Sequence, residues 1–309
     1  MRYQPSEKDV DEAVEKALGS AKNYDFEIAF FGGSFTAIDR SYMERLLRAA
    51  YKYVENNTVR GIRLSTRPDA IDSDVLETLK KYGVTSIELG AQSMSDEVLE
   101  ANRRGHTAGD VKNASVLIKS FGFSLGLQMM TGLYGSDFEK DVFTAKEIIK
   151  LKPDTVRIYP TVTIENTRLA QLYRSGEYKP CGLNESVNLC ALLLKMFLEN
   201  NIEVIRLGLH YSEELERQML FNNYHPAFRE LCESKIMLDE FLRCVDTGGI
   251  KKGSTAEVFV NPRSVSKVVG QNRENIKKIN ELGFDVRIRQ DKSKAPYEIG
   301  VLGDVNAEK

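Results

Sequence analysis

Short apolar runs alternate with amphipathic segments along the first 160 residues. The run Ile28–Phe31 is too short for a helix and is followed by two glycines, which indicates a buried strand that ends in a tight turn. The spacing Ser41–Glu44 has the form of a capping box and predicts the start of a helix there. Strand and helix patterns then alternate. Further strands are predicted within 61–69, 85–93, 124–132 and 155–160, and helices over 6–18, 41–53, 74–82, 109–121 and 138–151.

This alternation predicts parallel βα units, arranged either as a barrel or as an open doubly wound sheet. Polar residues favour the barrel, because they fall at the carboxyl ends of the strands, where βα-barrels place their chemistry. A nucleotide-binding open sheet instead carries GxGxxG in its first turn, and the sequence has no such motif there. We therefore predict an α/β fold: a partial (β/α)6 barrel of the TIM type that lacks its first strand, followed by a small C-terminal α+β domain.

The second half of the chain adds a helical extension and a small domain. A strongly apolar helix is predicted over 184–200 and another from 225 to about 243. Three glycines within 246–253 make this segment the best linker candidate. The predicted domains are 1–245, a barrel with its helical extension, and 254–309, an α+β unit.

Composition adds little for the whole chain. The 309 residues are 42% hydrophobic and 28% charged with a net charge of -2, which is typical of a globular protein. Residues 251–309 differ, because they contain twelve Lys and Arg but only eight Asp and Glu, which gives this segment a charge of +4. Such a basic segment is a hint of a polyanionic partner. The chain opens without a signal peptide and has no apolar run long enough for a membrane span, so a cytoplasmic location is expected.

The turn Gly32-Gly33-Ser34 is the first candidate site. Glycine lets a backbone approach a ligand closely because it has no Cβ. Many βα units turn on glycine without binding anything, and this alternative is favoured when the turn is considered alone. Four further strand ends with specific polar residues favour a binding site.

Five motifs together carry a family resemblance over about residues 25–240. The chain resembles the radical S-adenosylmethionine superfamily, in the branch that includes the catalytic subunit of Elongator and its bacterial relatives. The motifs are Phe30-Phe31-Gly32-Gly33-Ser34-Phe35-Thr36, Ser65-Thr66-Arg67-Pro68-Asp69, Glu88-Leu89-Gly90-Ala91-Gln92-Ser93, Arg104-Gly105-His106-Thr107 and Met129-Met130-Thr131-Gly132-Leu133.

The resemblance implies S-adenosylmethionine as cofactor. It implies that Gly32, Gly33 and Ser34 receive the amino group of the cofactor. Thr66 and Arg67 are expected to face its carboxylate or the substrate, since an arginine fork binds a carboxylate through two hydrogen bonds.

The third and fourth strand ends are assigned to the nucleoside. Glu88 and Gln92 are expected to bind ribose hydroxyls or to orient Arg67, and an alternative is that Glu88 only pairs with Arg67 as structure. Gln128 and Met130 are expected near ribose and adenine, although a Met pair is more often core. His106 is interpreted as a solvent-side or helix-end residue and not as a proton carrier.

One part of the family pattern is missing. The family holds a 4Fe–4S cluster with three thiolates from a CxxxCxxC loop before the Gly-Gly strand. Here the cysteines are Cys181, Cys190, Cys232 and Cys244, so the ligands of this cluster are absent from the chain. Two explanations stay open: an N-terminally truncated record, or a paralogue that has lost the cluster. As it stands the chain is expected to bind the cofactor weakly and to make no radical.

The C-terminal unit offers a second activity. The segment 268–276 looks like the helix–GxxG–helix core of a KH RNA-binding module, with Arg273 in place of the second glycine. Its candidate RNA-binding residues are Gly270, Arg273, Lys277 and Lys278. The alternative is a packing extension with a solvated basic face.

These observations lead to two hypotheses. The first is a radical SAM enzyme domain that cleaves the cofactor reductively and abstracts hydrogen through a 5′-deoxyadenosyl radical. Its expected partners are transfer RNA or another RNA as substrate and, in an intact version, an electron donor; no membrane is involved. The second is a non-catalytic RNA-binding or scaffold protein that uses residues 254–309.

Overall fold

A computed structural model describes residues 4–20, 26–210, 212–221 and 223–303. Six strands form one sheet with the order β1-β2-β3-β4-β5-β6, so each strand lies beside its neighbour in sequence. The pairs β1–β2, β2–β3 and β3–β4 are parallel, and the sheet curls into a half-barrel. The strands are β1 (Glu27–Phe30), β2 (Gly61–Thr66), β3 (Val84–Gln92), β4 (Ser124–Thr131), β5 (Thr155–Pro160) and β6 (Glu203–Leu207).

Helices connect these strands and cover the sheet. In α2, the buried residues Met43, Leu46, Leu47 and Ala50 recur at helical spacing and form the face that contacts β2. Leu64, Ile87, Leu125 and Ile158 are fully buried on successive strands. The predicted partial βα-barrel with a small C-terminal α+β part is therefore confirmed. The helices of this half are α1 (Glu7–Ser20), α2 (Arg40–Glu55), α3 (Ser73–Lys81), α4 (Asp96–Ala101), α5 (Ala108–Ser120) and α6 (Phe138–Leu151).

The capping-box prediction for the second helix is wrong. Helix α2 begins one residue before Ser41, and its N-cap is Asp39. The Asp39 carboxylate accepts a hydrogen bond from the Tyr42 amide at 2.9 Å. Aspartate is as good an N-cap as serine, and here it lies two residues earlier.

A three-stranded sheet with the order β8-β7-β9 forms the C-terminal part, in which β8 is parallel and β9 antiparallel to β7. Helix α10 packs against it, and Phe241 and Val245 share a buried core with Ala256, Val258 and Ile279. The remaining elements are α7 (Arg168–Ser175), α8 (Leu183–Glu199), α9 (Glu213–Gln218), α10 (Phe228–Gly248), β7 (Thr255–Val260), α11 (Val265–Val269), α12 (Glu274–Glu281), β8 (Asp285–Gln290) and β9 (Ile299–Gly303).

The chain forms two compact units. The first comprises 1–159 with 200–206, and the second comprises 160–199 with 207–309. The helices predicted as an extension of the barrel thus group with the C-terminal sheet. Helix α10 runs through Gly248, so the first three residues of the predicted linker 246–253 are helical. The domain boundary at this linker stays a prediction. No helix among the described residues has the length and apolarity that crossing a membrane requires.

Candidate functional site

The turn after β1 presents open backbone. Gly32 has φ 105°, a conformation that favours glycine, and a Cβ added at Gly32 or Gly33 would lie more than 4 Å from every other side chain and backbone segment that the structure describes. Ser34 is half-buried, and its carbonyl accepts a hydrogen bond from the Ala37 amide at 3.0 Å. The backbone of this turn is therefore accessible to a ligand at the carboxyl end of β1.

Thr66 supports this turn from the end of β2. Its side chain is buried, and its Oγ1 lies 2.6 Å from Oγ1 of Thr36. The Thr36 hydroxyl also donates to the Ala70 carbonyl at 2.6 Å. The structure thus gives Thr66 a role in fixing the segment after the glycines, and its contact with a cofactor stays a prediction.

Arg67 lies just past the end of β2 and is already paired. Its Nε and Nη2 donate to the Asp69 carboxylate at 2.5 and 2.7 Å, and Nη2 also donates to the Gly105 carbonyl at 3.1 Å. The hydrogen bonds to Asp69 raise the pKa of Arg67. The carboxylate partner of this fork is therefore Asp69, two residues further along the chain.

Glu88 is the centre of a charged network on three strands. Its side chain is 1% exposed and binds Arg157 through two hydrogen bonds, Nε–Oε2 at 2.5 Å and Nη2–Oε1 at 3.0 Å. Nη2 of Arg63 lies 3.0 Å from Oε1. Burial lowers the pKa of Arg157, but its hydrogen bonds to Glu88 outweigh this effect and the net shift is upward. The suggestion that Glu88 pairs with or orients Arg67 is wrong, because its cationic partners are Arg63 and Arg157.

The two predicted glutamines lie on adjacent strands. Nε2 of Gln128 donates to Glu88 Oε2 at 3.1 Å and to Ser65 Oγ at 3.2 Å, so Gln128 belongs to the charged network. Gln92 has φ 66° where the register of β3 and β4 shifts, and within the described chain its side-chain amide has no hydrogen bond. Strained backbone of this kind clusters at functional sites.

The segment Arg103–Thr107 crosses the ends of β2, β3 and β4. Gly105 has φ 73°, and a Cβ there would lie 2.8 Å from Nη2 of Arg67. Nε2 of His106 lies 3.1 Å from the Ala91 carbonyl, and His106 is buried, so the solvent-side interpretation of this histidine is wrong. The segment therefore forms part of the surface at the carboxyl edge of the sheet.

Arg104 is the functional candidate that sequence reasoning missed. Its Nη2 lies 2.9 Å from Sδ of Met130, at the end of β4. Its Nε is buried without a hydrogen-bond partner, and in the described chain Arg104 forms no ion pair. Burial lowers the pKa of Arg104. A half-buried guanidinium that no carboxylate among the described residues neutralises is chemically suited to bind an anion. The sequence signal was its position before the glycine of the Arg-Gly-His-Thr motif.

The cysteines do not fit an iron–sulfur cluster. Cys190 and Cys232 are buried, and Cys181 and Cys244 are half-buried. Burial raises the pKa of Cys232, which disfavours the thiolate that a cluster needs. Nowhere in the described ranges do three or more His, Cys, Asp or Glu side chains gather as a metal site.

The predicted RNA-binding residues lie in the second unit. Gly270 has φ 75° and Arg273 has φ 62°, on either side of Asn272 with φ 50°. Lys277 and Lys278 are exposed on α12, and Lys277 pairs with Glu274 at 3.6 Å. Their role in RNA binding stays a prediction.

Two protein-family models match adjacent parts of the chain. The model described as the Radical SAM superfamily matches residues 1–148, and the model of the Radical_SAM C-terminal domain matches residues 153–237. The second match begins beside β5, where the sheet residues give way to the second compact unit.

Curated relatives are longer proteins. A tRNA uridine(34) acetyltransferase of Methanocaldococcus jannaschii is 34% identical over 183 residues, which are 53% of this chain and 34% of that protein. Elongator complex protein 3 of Homo sapiens is 30% identical over 190 residues, or 55% of this chain and 35% of that protein. The chain thus spans about a third of the length of these relatives.

A solved structure shows the same fold. The archaeal Methanocaldococcus infernus Elp3 with an N-terminal deletion superposes with a TM-score of 0.62 over 79% of this chain and 59% of that chain, at 24% identity. The half-barrel, the family-model matches and the Elongator relatives agree. The chain therefore belongs to the radical SAM superfamily, in its Elongator-like branch.

Proposed function

We propose that this chain binds S-adenosylmethionine at the carboxyl edge of β1–β4 and serves a radical modification of tRNA. Arg104 carries the proposal. It is a half-buried guanidinium whose Nε has no hydrogen-bond partner in the described part of the chain, and it lies beside the strand end that carries Met130. The cofactor brings a carboxylate, and a charge-assisted pair of hydrogen bonds would satisfy this arginine.

The open glycine turn supplies the complementary group. Carbonyls of Gly32 and Gly33 would accept hydrogen bonds from the ammonium of the cofactor, because these residues have no Cβ to block its approach. The Ser34 carbonyl, which accepts from the Ala37 amide, would accept through its second lone pair. Arg104 replaces Arg67 as the proposed carboxylate ligand, since Arg67 is occupied by Asp69.

The remaining strand ends would hold the nucleoside and support the site. The amide of Gln92, which has no hydrogen bond within the described residues, suits a ribose hydroxyl. Gln128 and Met130 are assigned to ribose and adenine. Thr66 and Glu88 would act by holding the turn and the arginines in place.

The chemistry requires a second group that these residues do not fit. A 4Fe–4S cluster, if bound beside the cofactor, would supply the electron for radical chemistry. The four cysteines of the sequence provide no ligand set for that cluster. We therefore expect the 309 residues alone to bind the cofactor without cleaving it.

The names of the relatives suggest the substrate. One is called a tRNA uridine(34) acetyltransferase and another Elongator complex protein 3. We infer a tRNA substrate for this chain on that basis, with an electron donor as the partner of the complete reaction.

Replacing Arg104 by glutamine is expected to weaken S-adenosylmethionine binding by about 10- to 100-fold, the value of one or two hydrogen bonds to a charged group. Isothermal titration calorimetry measures this loss. Decarboxylated S-adenosylmethionine sharpens the test, because it lacks the group that Arg104 is proposed to bind. The wild type should prefer the carboxylated ligand, and Arg104→Gln should lose that preference.

Arg103→Gln is the matched control, because this neighbouring arginine is exposed. It should bind S-adenosylmethionine as the wild type does. Equal weakening of both ligands by Arg104→Gln would show that the arginine shapes the fold and does not bind the carboxylate.

Because the four cysteines do not fit a 4Fe–4S cluster, one rival function is favoured: a non-catalytic RNA-binding or scaffold protein that uses the C-terminal unit. Titrations of the 309-residue chain with S-adenosylmethionine and with RNA separate the two functions. Binding of the cofactor that Arg104→Gln weakens would support the proposed function. Anaerobic reconstitution with iron and sulfide is a separate test, in which a bound cluster would contradict our expectation for these 309 residues alone. RNA binding without cofactor binding would support the rival.

A further inference from the structure

A groove of about 490 Å³ lies within the second compact unit. It is formed where α8 and α10 meet the loop 270–273 and helix α12. We call it the α8–α10 groove. Its size is within the range of ~300–1,000 Å³ that is usual for ligand pockets. Representative lining residues are Val187 and Asn188 of α8, Leu231 and Lys235 of α10, Gln271 of the loop and Lys278 of α12.

The loop at one end of the groove has unusual backbone. Gly270 must be glycine, because it has φ 75° and a Cβ would lie 3.0 Å from the Asn275 amide nitrogen. Packing explains that glycine, since buried Asn275 donates to the Ser234 carbonyl at 2.8 Å and fixes the loop to α10. It does not explain Arg273, which is exposed with φ 62°. A left-handed conformation is strained for a residue other than glycine, and such strained residues cluster at ligand-binding sites.

The groove combines three kinds of chemistry. Val187, Leu231 and Leu238 provide apolar surface of the kind against which a base can pack. The side-chain amides of Asn188 and Gln271 offer donors and acceptors to base edges. This combination suits an unpaired nucleotide better than a purely apolar or a purely charged ligand.

Cations at the rim provide charge complementarity to phosphate. Lys278 lines the groove, and Arg273 lies in the adjacent loop 270–273. Both are exposed, and among the residues that the structure describes they form no ion pair. The carboxylate of Glu274 also lines the groove, and it is paired with Lys277 at 3.6 Å. Lys235 is different, because Asp239 neutralises it at 2.5 Å. The rim therefore has cations available for a phosphate backbone, next to amides and apolar surface for bases.

We infer that the α8–α10 groove binds about one or two unpaired nucleotides of single-stranded RNA. The walls on α8 and α10 contact the bases, and Lys278 and Arg273 contact the phosphates. The choice of RNA rests on the proposed function, whereas the groove itself belongs to the second unit and the proposed cofactor site to the first. The groove would thus give the chain an RNA contact that does not depend on cofactor binding.

The experiment measures fluorescence anisotropy of a labelled single-stranded RNA decamer of mixed sequence with the 309-residue chain. Lys278→Glu and Asn188→Asp each place negative charge in the groove, from α12 and from α8. Each is expected to weaken binding at least 10-fold. The matched controls are Lys292→Glu and Asn280→Asp, exposed residues outside the groove lining, and they should stay within twofold of the wild type.

Several results would overturn the inference. They are no binding of single-stranded RNA by the wild type, equal binding of duplex RNA, or equal loss in Lys278→Glu and Lys292→Glu, which would indicate non-specific attraction. Circular dichroism confirms that the variants are folded. Titration of Lys278→Glu with S-adenosylmethionine separates the two proposals. If this variant loses RNA binding but binds the cofactor as the wild type does, the groove and the cofactor site are independent.

Discussion

Glu88→Ala is expected to lower the free energy of unfolding by about 3–5 kcal/mol, as when one partner of a buried ion pair is removed. The variant leaves Arg157 and Arg63 facing each other without the carboxylate that both contact. It also removes a side chain that is 1% exposed, so water does not readily replace it. Denaturation by urea measures the loss.

Glu100→Ala is the control, because this glutamate is exposed on α4 and its loss should change the free energy by no more than about 0.5 kcal/mol. A second variant tests the mechanism. Adding Arg157→Met to Glu88→Ala removes one of the two cations that the first substitution leaves without a carboxylate. The double variant should therefore lose less free energy of unfolding than the sum of the losses in the two single variants. Strict additivity would show that the network contributes packing alone.

The repeat of strands and helices was predictable because each strand carries its own boundary signals. In β2, apolar Ile62 and Leu64 come before a polar end and Pro68, and the structure ends the strand at Thr66. The break between the last two helices was likewise predicted from Gly270, where α11 ends. These signals are local, and local signals determine where an element ends more reliably than what it contacts.

The partner of Glu88 was not predictable from motif positions, since it depends on strand register. Glu88 lies opposite Ser65 across the ladder. Arg63 is two residues before Ser65 on the same face, whereas Arg67 lies beyond the strand end, where Asp69 is its nearer partner. One signal was available. Arg63, Glu88 and Arg157 each stand between two apolar residues on a predicted strand, which indicates that all three lie on one face.

Arg104 shows a different limit of predicting a site from sequence. Its motif was visible in the sequence, but Arg104 is a candidate ligand because no carboxylate among the described residues pairs with it. That property depends on which carboxylates lie nearby after folding, and Asp69 pairs instead with Arg67. A sequence gives the charge of a side chain, whereas only the fold shows whether that charge is compensated.

Asp141 is expected to make stability depend on pH between about 4 and 6. Its side chain, on α6, is 3% exposed and accepts hydrogen bonds from the Gly132 amide at 2.8 Å and the Ser136 hydroxyl at 2.6 Å. Burial raises the pKa of Asp141 to about 6, from the usual 3.8, although these hydrogen bonds oppose the rise. The folded protein therefore holds this proton more tightly than the unfolded chain. The resulting stabilisation is complete below pH 4 and is lost as the pH rises through 6.

The Asp141→Asn variant isolates this effect, because asparagine is neutral at every pH and the Ser136 hydroxyl can turn to accept from its amide. Since a change of one in pKa corresponds to about 1.4 kcal/mol, wild type should lose about 3 kcal/mol relative to Asp141→Asn between pH 4 and 7. Urea denaturation across this range measures the difference. Asp72→Asn, an exposed N-cap on α3, should follow the wild-type curve. Parallel curves for wild type and Asp141→Asn would mean that the loop after β4 opens and hydrates the carboxylate.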